Sequence, residues 1–307
     1  HLGPICGGLT PGVSGPVQGP TGSADPSEES IDLPRNTGQF QNISTIGRLN
    51  LMSKIALVRQ PSPLLDSGIV DHIEKVTVDL PRAQEQWRGY VDALQAHGWK
   101  TIEVDPADDC PDSVFVEDTV VMFRNVAVIS RPGADSRKPE VDGTRRALEA
   151  LGCPIVEIQA PGTLDGGDIL KVGDTVYIGR GGRTNAEGVA QLRRILAPLG
   201  GTVVAVPVTK VLHLKTAVTA LPDGTVIGYP EFVDQPSIFD RFMPVPEPHG
   251  TAVVCLSDSE LLISASAPTT AALLRDLGYG VTEVEISEYE KLEGCPTCLS
   301  VRVRALY

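Results

Sequence analysis

The stretch PRAQEQWRGYVDALQAHGWKTIEV, residues 81–104, carries the pattern that decides the fold. Pro81 stands in a first helical turn, where its missing N–H has no intrahelical partner to lose. Trp87, Tyr90, Val91 and Leu94 fall on one face, Gly98 takes the position just past the helix end, and Thr101 to Val104 is short and strand-like. The order of helix, glycine and strand then recurs. Val141 to Leu151 is closed by Gly152 ahead of Ile155 to Ile158; Glu187 to Leu199 precedes Thr202 to Val206; Ala267 to Leu277 is closed by Gly278 ahead of Val281 to Val284. Strand-like runs fill the intervals: Ile55 to Val58, Val114 to Val116, Val120 to Phe123, Val126 to Ile129, Ile169 to Val172, Val176 to Ile178, Thr225 to Ile227, Val253 to Leu256 and Leu261 to Ile263. A recurrence at about 50 residues marks one supersecondary unit repeated around a shared core. It favours a single α/β domain of several similar modules over two domains.

Composition narrows the function classes. The 307 residues carry a formal charge of −13, which argues against a nucleic-acid footprint or an anionic membrane surface and would concentrate a cationic small molecule. No apolar run approaches the roughly 18 residues of a membrane span, and no signal-peptide pattern opens the chain, so it reads as cytoplasmic. The six cysteines are scattered along a chain large enough to stand on its own core, and no disulfide framework is needed. Residues 1 to about 50 are rich in Gly, Pro, Ser and Thr and lack apolar periodicity, the composition of a disordered segment. The chain starts at His1 while Met52-Ser53-Lys54 directly precedes the first strand, so this extension reads as a leader, a tag or an upstream read-through. The folded domain is expected over residues 54–307.

Four segments carry residue types that do chemistry. In LEGCPTCLS (292–300), Cys298 follows a turn marked by Gly294 and Pro296 and leads into the alternating Ser300 to Arg304, a loop-to-strand junction. A thiol attacks as thiolate and needs a partner to lower its pKa from about 8.5; a free cysteine is also commonly a small buried hydrophobe. DSVFVED (112–118) sets three carboxylates around an apolar run. If extended, it puts Asp112 and Asp118 on one face and Glu117 on the other, fitting either a cation or metal site or a solvated turn. LDGGD (164–168) fits a close backbone approach with acids turned into a cavity, or a hairpin turn. VLHLK (211–215) holds His213 in an apolar, strand-like run, as a base or as a satisfied core residue. Arg131, Arg137 and Arg183 follow strands or open helices, and arginine is the usual bidentate partner of a carboxylate. The spacing of Cys295 and Cys298 lacks the second pair of a zinc site and does not open a helix as a thioredoxin motif does. Serine-hydrolase, P-loop and dinucleotide signatures are absent.

Taken in order, DSVFVED, SRPGA (130–134) with Ser136-Arg137, LDGGD, RTN (183–185), VLHLK and TCLSV (297–301) resemble the dimethylarginine dimethylaminohydrolase family of guanidine-modifying enzymes. The resemblance runs from about Lys54 to the end. It implies the pentein fold, a five-module α/β-propeller of ββαβ-type units around a pseudo-fivefold axis. It also implies Cys298 as nucleophile, His213 as general acid and base, and Asp165 as the acid that orients His213. Asp118, Glu117 and Asp112 would line the guanidinium pocket, and Arg137 and Arg183 would hold the α-carboxylate. Ile69 and Leu292 would turn backbone carbonyls to the amino-acid end.

The implied activity is hydrolysis of Nω-methylated arginine, asymmetric dimethylarginine or monomethylarginine, to citrulline and dimethylamine or methylamine. It runs through a covalent thiouronium on the cysteine, with no metal and no organic cofactor. The partner is the small-molecule substrate, neither nucleic acid nor membrane, and a homodimer is compatible with the resemblance. The alternatives are an arginine deiminase, an amidinotransferase, or a non-catalytic binder of cationic amino acids. Deiminases carry an H-x-D element whose acid holds the unsubstituted nitrogens; here Leu214-Lys215 follow His213, leaving room for methyl groups. Cys295 departs from the family's pattern, and a disulfide to Cys298 would silence the nucleophile.

Overall fold

The structure, a computed structural model, describes residues 54–304; the expectation for residues 1 to about 50 lies outside them. Among these residues fifteen strands form five three-stranded sheets. The first holds β1 (Ile55–Val58) and, after α1 (Leu80–Ala96), β2 (Lys100–Glu103). The second holds β3 (Val120–Phe123), β4 (Val126–Ile129) and, after α2 (Val141–Ala150), β5 (Ile155–Glu157). The third holds β6 (Ile169–Val172), β7 (Thr175–Arg180) and, after α3 (Ala186–Leu196), β8 (Thr202–Pro207). The short α4 (Leu214–Ala217) leads into β9 (Val218–Ala220), β10 (Val226–Gly228) and β11 (Phe242–Pro244). The fifth holds β12 (Val254–Cys255), β13 (Glu260–Ser264) and, after α5 (Pro268–Asp276), β14 (Gly280–Val284). Finally α6 (Ser287–Glu290) and β15 (Val301–Val303) return to the first sheet.

One rule generates all five sheets: the middle strand pairs antiparallel with the innermost strand and parallel with the outer one. The parallel pairing forces a crossover, which a helix supplies in four modules. The fourth crossover holds only a turn of 3-10 helix at Pro236–Ile238. The strands β3, β6, β9, β12 and β15 contribute Val121, Leu170, Thr219, Cys255 and Val301 to the wall of one cavity of about 130 Å3, so they ring the axis. β15 closes the ring by pairing with β1, Ile55 opposite Val303 and Leu57 opposite Val301.

The local causes are legible. β1, β3 and β4 are buried along their whole length, hence their unbroken apolar runs. The Asp79 carboxylate caps α1 by accepting from the Arg82 N–H at 3.1 Å, and Trp87, Tyr90 and Leu94 face the core. Asn185 caps α3, accepting from the Gly188 N–H at 2.8 Å.

Two expected strands are absent. Val114 to Val116 is turn leading into the 3-10 helix Val116–Thr119, because Phe115 N–H donates back to Asp112 O and Asp118 N–H to Phe115 O. Val211 to Lys215 bends into α4, with His213 extended at its N-cap. In both, apolar residues are buried singly from irregular backbone, which period-two alternation does not describe. The fold nonetheless uses these segments systematically. Asp118, Asp165, His213 and Cys298 stand two, four, five and three residues before β3, β6, β9 and β15, so the pseudo-symmetry delivers all four to one end of the axis.

Helix propensity and packing oppose each other at one glycine and agree at another. A Cβ on Gly188 would lie 2.0 Å from Thr163 O, whereas one on Gly89 meets nothing within 4 Å. Gly89→Ala should stabilise the protein by about 1 kcal/mol, while Gly188→Ala should destabilise it by about 2 kcal/mol or more. Thermal unfolding of the two variants checks the opposite signs.

Candidate active site

Ile69, Asp112, Asp118, Arg137, Arg183, His213, Leu292 and Cys298 wall one small cavity of about 20 Å3, together with Phe115, Leu212, Glu293 and Gly294. That is room for roughly one water molecule. Asp165 lies behind His213. Glu117, expected on this wall, is instead on the axial cavity. The turn that replaces the expected strand aims it there, and its Oε1 pairs with Lys215 and, at 3.2 Å, with Arg302. Its Oε2 is buried without a partner among the described residues.

His213 is held at both ends. Nε2 is 3.0 Å from Asp165 Oδ2 and Nδ1 is 3.9 Å from Asp118 Oδ1. Asp165 is fixed in turn, with Oδ1 accepting from Gly133 N–H at 2.8 Å. Asp168 accepts from Leu214 N–H at 3.1 Å and from the Thr184 hydroxyl at 2.6 Å, which anchors the start of α4 and therefore His213. The glycines of LDGGD permit this crowding: a Cβ on Gly167 would sit 2.7 Å from both Asp118 Oδ1 and His213 Nδ1. Burial disfavours the imidazolium, but Asp118, Asp165 and Asp168 together outweigh it and raise the His213 pKa to about 9. Burial pushes Asp168 up to about 6.

Asp118 takes 2.7 Å and 2.8 Å hydrogen bonds from Arg137 Nη1 and Gly167 N–H. Burial acts to raise its pKa, yet His213 and Arg137 hold it below the ordinary carboxylate range. Arg137 is almost fully committed. Nε and Nη2 donate to Glu140 and Nη2 also to the carbonyls of Asp112 and Phe115, so one Nη1 N–H has no partner among the described residues. Asp112, raised by burial, accepts from Ile69 N–H at 3.1 Å. Asp118, Asp165 and His213 offer ligand atoms within 4.8 Å of one another. Those atoms already serve Arg137, Gly167 and each other.

The loop that carries Ile69 is strapped down across the cavity. Arg183 Nη2 donates to Asp71 at 2.7 Å, and the Glu293 carboxylate accepts from the Asp71 and His72 N–H groups at 2.6 and 3.3 Å. Glu293 does so from a left-handed backbone, φ 60°, rare for a side-chain-bearing residue. Cys298 Sγ lies 3.2 Å from Cys295 Sγ; that contact, with burial, pushes the Cys298 thiol well above its ordinary range.

The arginine deiminase family model matches residues 106–252. Over 255 residues, the chain is 65% identical to the N(G),N(G)-dimethylarginine dimethylaminohydrolase of Streptomyces coelicolor, covering 83% of this chain and 99% of the relative. The Pseudomonas aeruginosa enzyme of the same name is 38% identical, covering 82% of this chain and 100% of the relative. The chain belongs to the dimethylarginine dimethylaminohydrolase family. A solved dimethylarginine dimethylaminohydrolase adduct with S-methyl-L-thiocitrulline superposes with a TM-score of 0.77 at 35% identity, over 82% of this chain and all of the other. The N-terminal domain of ArgZ, an arginine dihydrolase, shares the fold with a TM-score of 0.74 at 21% identity. The five modules are thus those of the pentein fold.

Relative to the residues that the family resemblance carries over, four acids are additions. Asp168 lies inside the LDGGD motif, and Glu140 lies three residues beyond Arg137 on the same 3-10 turn. Asp71 and Glu293 gave no signal, because their partners are remote backbone and Arg183.

The raised His213 pKa fixes a pH dependence of stability. Protonation favours the folded state, so the contribution is fully present below pH 6.5 and is lost as pH rises through about 9. The loss amounts to about 3 kcal/mol. Urea unfolding across this range should show the decline, and His213→Gln should remove it. In an NMR titration, Asp118→Asn should lower the His213 pKa.

Proposed function

We propose that the chain hydrolyses Nω-methylated arginine to citrulline and a methylamine, with Cys298 as nucleophile, His213 as proton carrier and Asp118 as anchor of the guanidinium. The observation that carries this reading is the convergence of a thiol, an imidazole paired to Asp165 and an ionised buried carboxylate on one small cavity, within this family.

A guanidinium carbon is electron-rich and a poor electrophile, so the site must fix the cation and supply a soft, strong nucleophile. Asp118, kept anionic by Arg137, receives guanidinium N–H groups. The bound cation also favours thiolate at Cys298, which is otherwise protonated against Cys295. The thiolate attacks the central carbon. His213, imidazolium at neutral pH, gives its proton to the leaving dimethylamine or methylamine, and a covalent S-alkylthiouronium remains. The now neutral His213 takes a proton from water, which adds to the same carbon; the carbon–sulfur bond breaks and citrulline leaves. Asp165 keeps the ring oriented through both transfers.

The amino-acid end of the substrate lies toward the strapped loop. Arg183 exchanges Asp71 for the α-carboxylate, so the substrate and the loop's Asp71 compete for one guanidinium. Arg137 adds at most its one spare N–H. Asp112, bonded to Ile69 N–H, serves the α-amino group with the Ile69 and Leu292 carbonyls, in place of the guanidinium role that the resemblance implies for it. Glu117 stays behind Asp118, its charge balanced by Lys215 and Arg302.

Citrulline release from asymmetric dimethylarginine should be abolished in Cys298→Ser and should fall by about 10²- to 10⁴-fold in kcat in His213→Ala. Arg183→Ala should raise KM about tenfold or more with a smaller change in kcat, the signature of a lost positioning contact. Arginine, assayed in parallel, should be the poorer substrate; if it is the better one, the deiminase reading replaces this one.

A further inference from the structure

The hydrolytic reading gives no role to the first cysteine of Cys295-Pro296-Thr297-Cys298. The two sulfurs of this motif are 3.2 Å apart. The backbone between them is a turn, Cys298 N–H donating to Cys295 O at 3.0 Å. A four-residue turn holds its end Cα atoms within about 7 Å, overlapping the roughly 4.4–6.8 Å range that disulfides span. The sulfurs therefore need to close by only about 1.1 Å, from 3.2 Å to the roughly 2.05 Å of a disulfide bond, a side-chain rotation rather than a loop movement. Among the described residues Cys110, Cys153 and Cys255 are also free, and none of them has a sulfur contact of this kind.

The two thiols face different spaces. Cys298 is on the wall of the small active-site cavity, whereas Cys295 lines a neighbouring cavity of about 410 Å3 that it shares with His72, Lys210 and His249. A small uncharged reagent can thus reach the pair from the side that the substrate does not use. The S–H donated by Cys298 holds the Cys295 sulfur below the ordinary thiol range against the effect of burial, and the Thr297 hydroxyl, 3.4 Å away, acts in the same direction. These contacts favour the thiolate at Cys295 over that of an isolated buried thiol.

We propose that Cys295 and Cys298 are a site of reversible oxidative modification, in which a small hydroperoxide converts the two thiols into an intramolecular disulfide. The thiolate of the pair attacks the peroxide: a sulfur–oxygen bond forms, the oxygen–oxygen bond breaks, and the departing alkoxide or hydroxide takes up a proton. The second sulfur then attacks the sulfenic acid; the sulfur–sulfur bond forms and water leaves. Two thiols and one hydroperoxide give one disulfide, one alcohol or water, and one further water, with two electrons passing from the sulfurs to the peroxide. A dithiol reverses the step by exchange through a mixed disulfide. Cys295 has a protective consequence as well: capture as a disulfide intercepts the sulfenic acid before irreversible oxidation to sulfinic acid.

The loss of activity rests on Cys298 being the nucleophile of the proposed hydrolase; formation of the disulfide does not. The test treats the full chain, and its Cys295→Ser variant, with graded hydrogen peroxide, then with dithiothreitol. Citrulline release and non-reducing peptide masses are read at each stage, each protein against its own untreated rate. In the wild type the peptide containing both cysteines should lose two hydrogen atoms in parallel with the loss of citrulline release, and dithiothreitol should restore both. In Cys295→Ser the same dose should add two oxygen atoms to Cys298, with no recovery. Direct sulfinic oxidation of the wild type, a disulfide that leaves citrulline release intact, or full recovery of Cys295→Ser would each overturn the proposal. If the untreated wild type releases no citrulline, the hydrolase reading fails, and the masses still decide the disulfide.

Discussion

The site depends on keeping a buried carboxylate ionised. Asp118 is 2% exposed, and a charge so placed is costly unless partners surround it. Its partners are Arg137, the Gly167 N–H and, more distantly, His213. Each of these makes its own demand. Arg137 is balanced by Glu140, His213 by Asp165, and His213 keeps its place because Asp168 pins the start of α4. The acids Asp112, Asp118, Glu140, Asp165 and Asp168 outnumber the cations Arg137, Arg183 and His213 around one small space. That excess leaves room for a further cation in the network, and it raises the pKa of His213.

Ring closure ties this chemistry to the stability of the whole fold. The innermost strands face one another along the axis, and the segment before each is irregular, since it must leave one module and enter the next. Irregular backbone at a rigid strand end suits a functional side chain: the strand fixes its position while the loop frees its orientation. Cys298 goes further, because β15 is the strand that joins the chain's last module to its first. Its carbonyl accepts from Glu117 N–H at 3.1 Å, linking the Cys298 segment to the acid segment of the second module. Tyr90 does the same from α1, its hydroxyl donating to Pro296 O at 2.8 Å.

What the sequence makes legible follows from burial. β1, β3 and β4 are readable to the residue because they are unbroken apolar runs, and β6 is too, although Lys171 interrupts it. The helices are readable to within a few residues from their spacing and closing glycines. The fourth module is the obscure one: β9 and β11 have three residues each, β11 ends in Pro244, and the crossover lacks its helix. DSVFVED and VLHLK mislead for a different reason. Their hydrophobic residues are dictated by tertiary burial at module junctions, so local periodicity carries no strand information there. Yet the face assignment for DSVFVED survives with another cause. Asp112 and Asp118 do share a side and Glu117 does face away, because a 3-10 turn, not a pleat, rotates them apart.

Glu117 and Lys215 show how this arrangement bears on substrate choice. Where a deiminase carries an acid two residues after its histidine, this chain carries Lys215, whose ammonium leaves the active-site wall for the axial cavity and pairs with Glu117. A carboxylate at that position would require N–H groups on both terminal guanidinium nitrogens. A methylated nitrogen lacks them, and a buried acceptor left unpaired costs about 1–3 kcal/mol, more when charged. On the proposed reading Lys215 removes that demand, and its charge instead joins Arg302 in balancing Glu117 beside Asp118. One exchange of sign therefore does two things. On the proposed reading it makes the pocket tolerant of methyl groups, and it leaves Asp118 as the ionised acid beside the thiol and the imidazole.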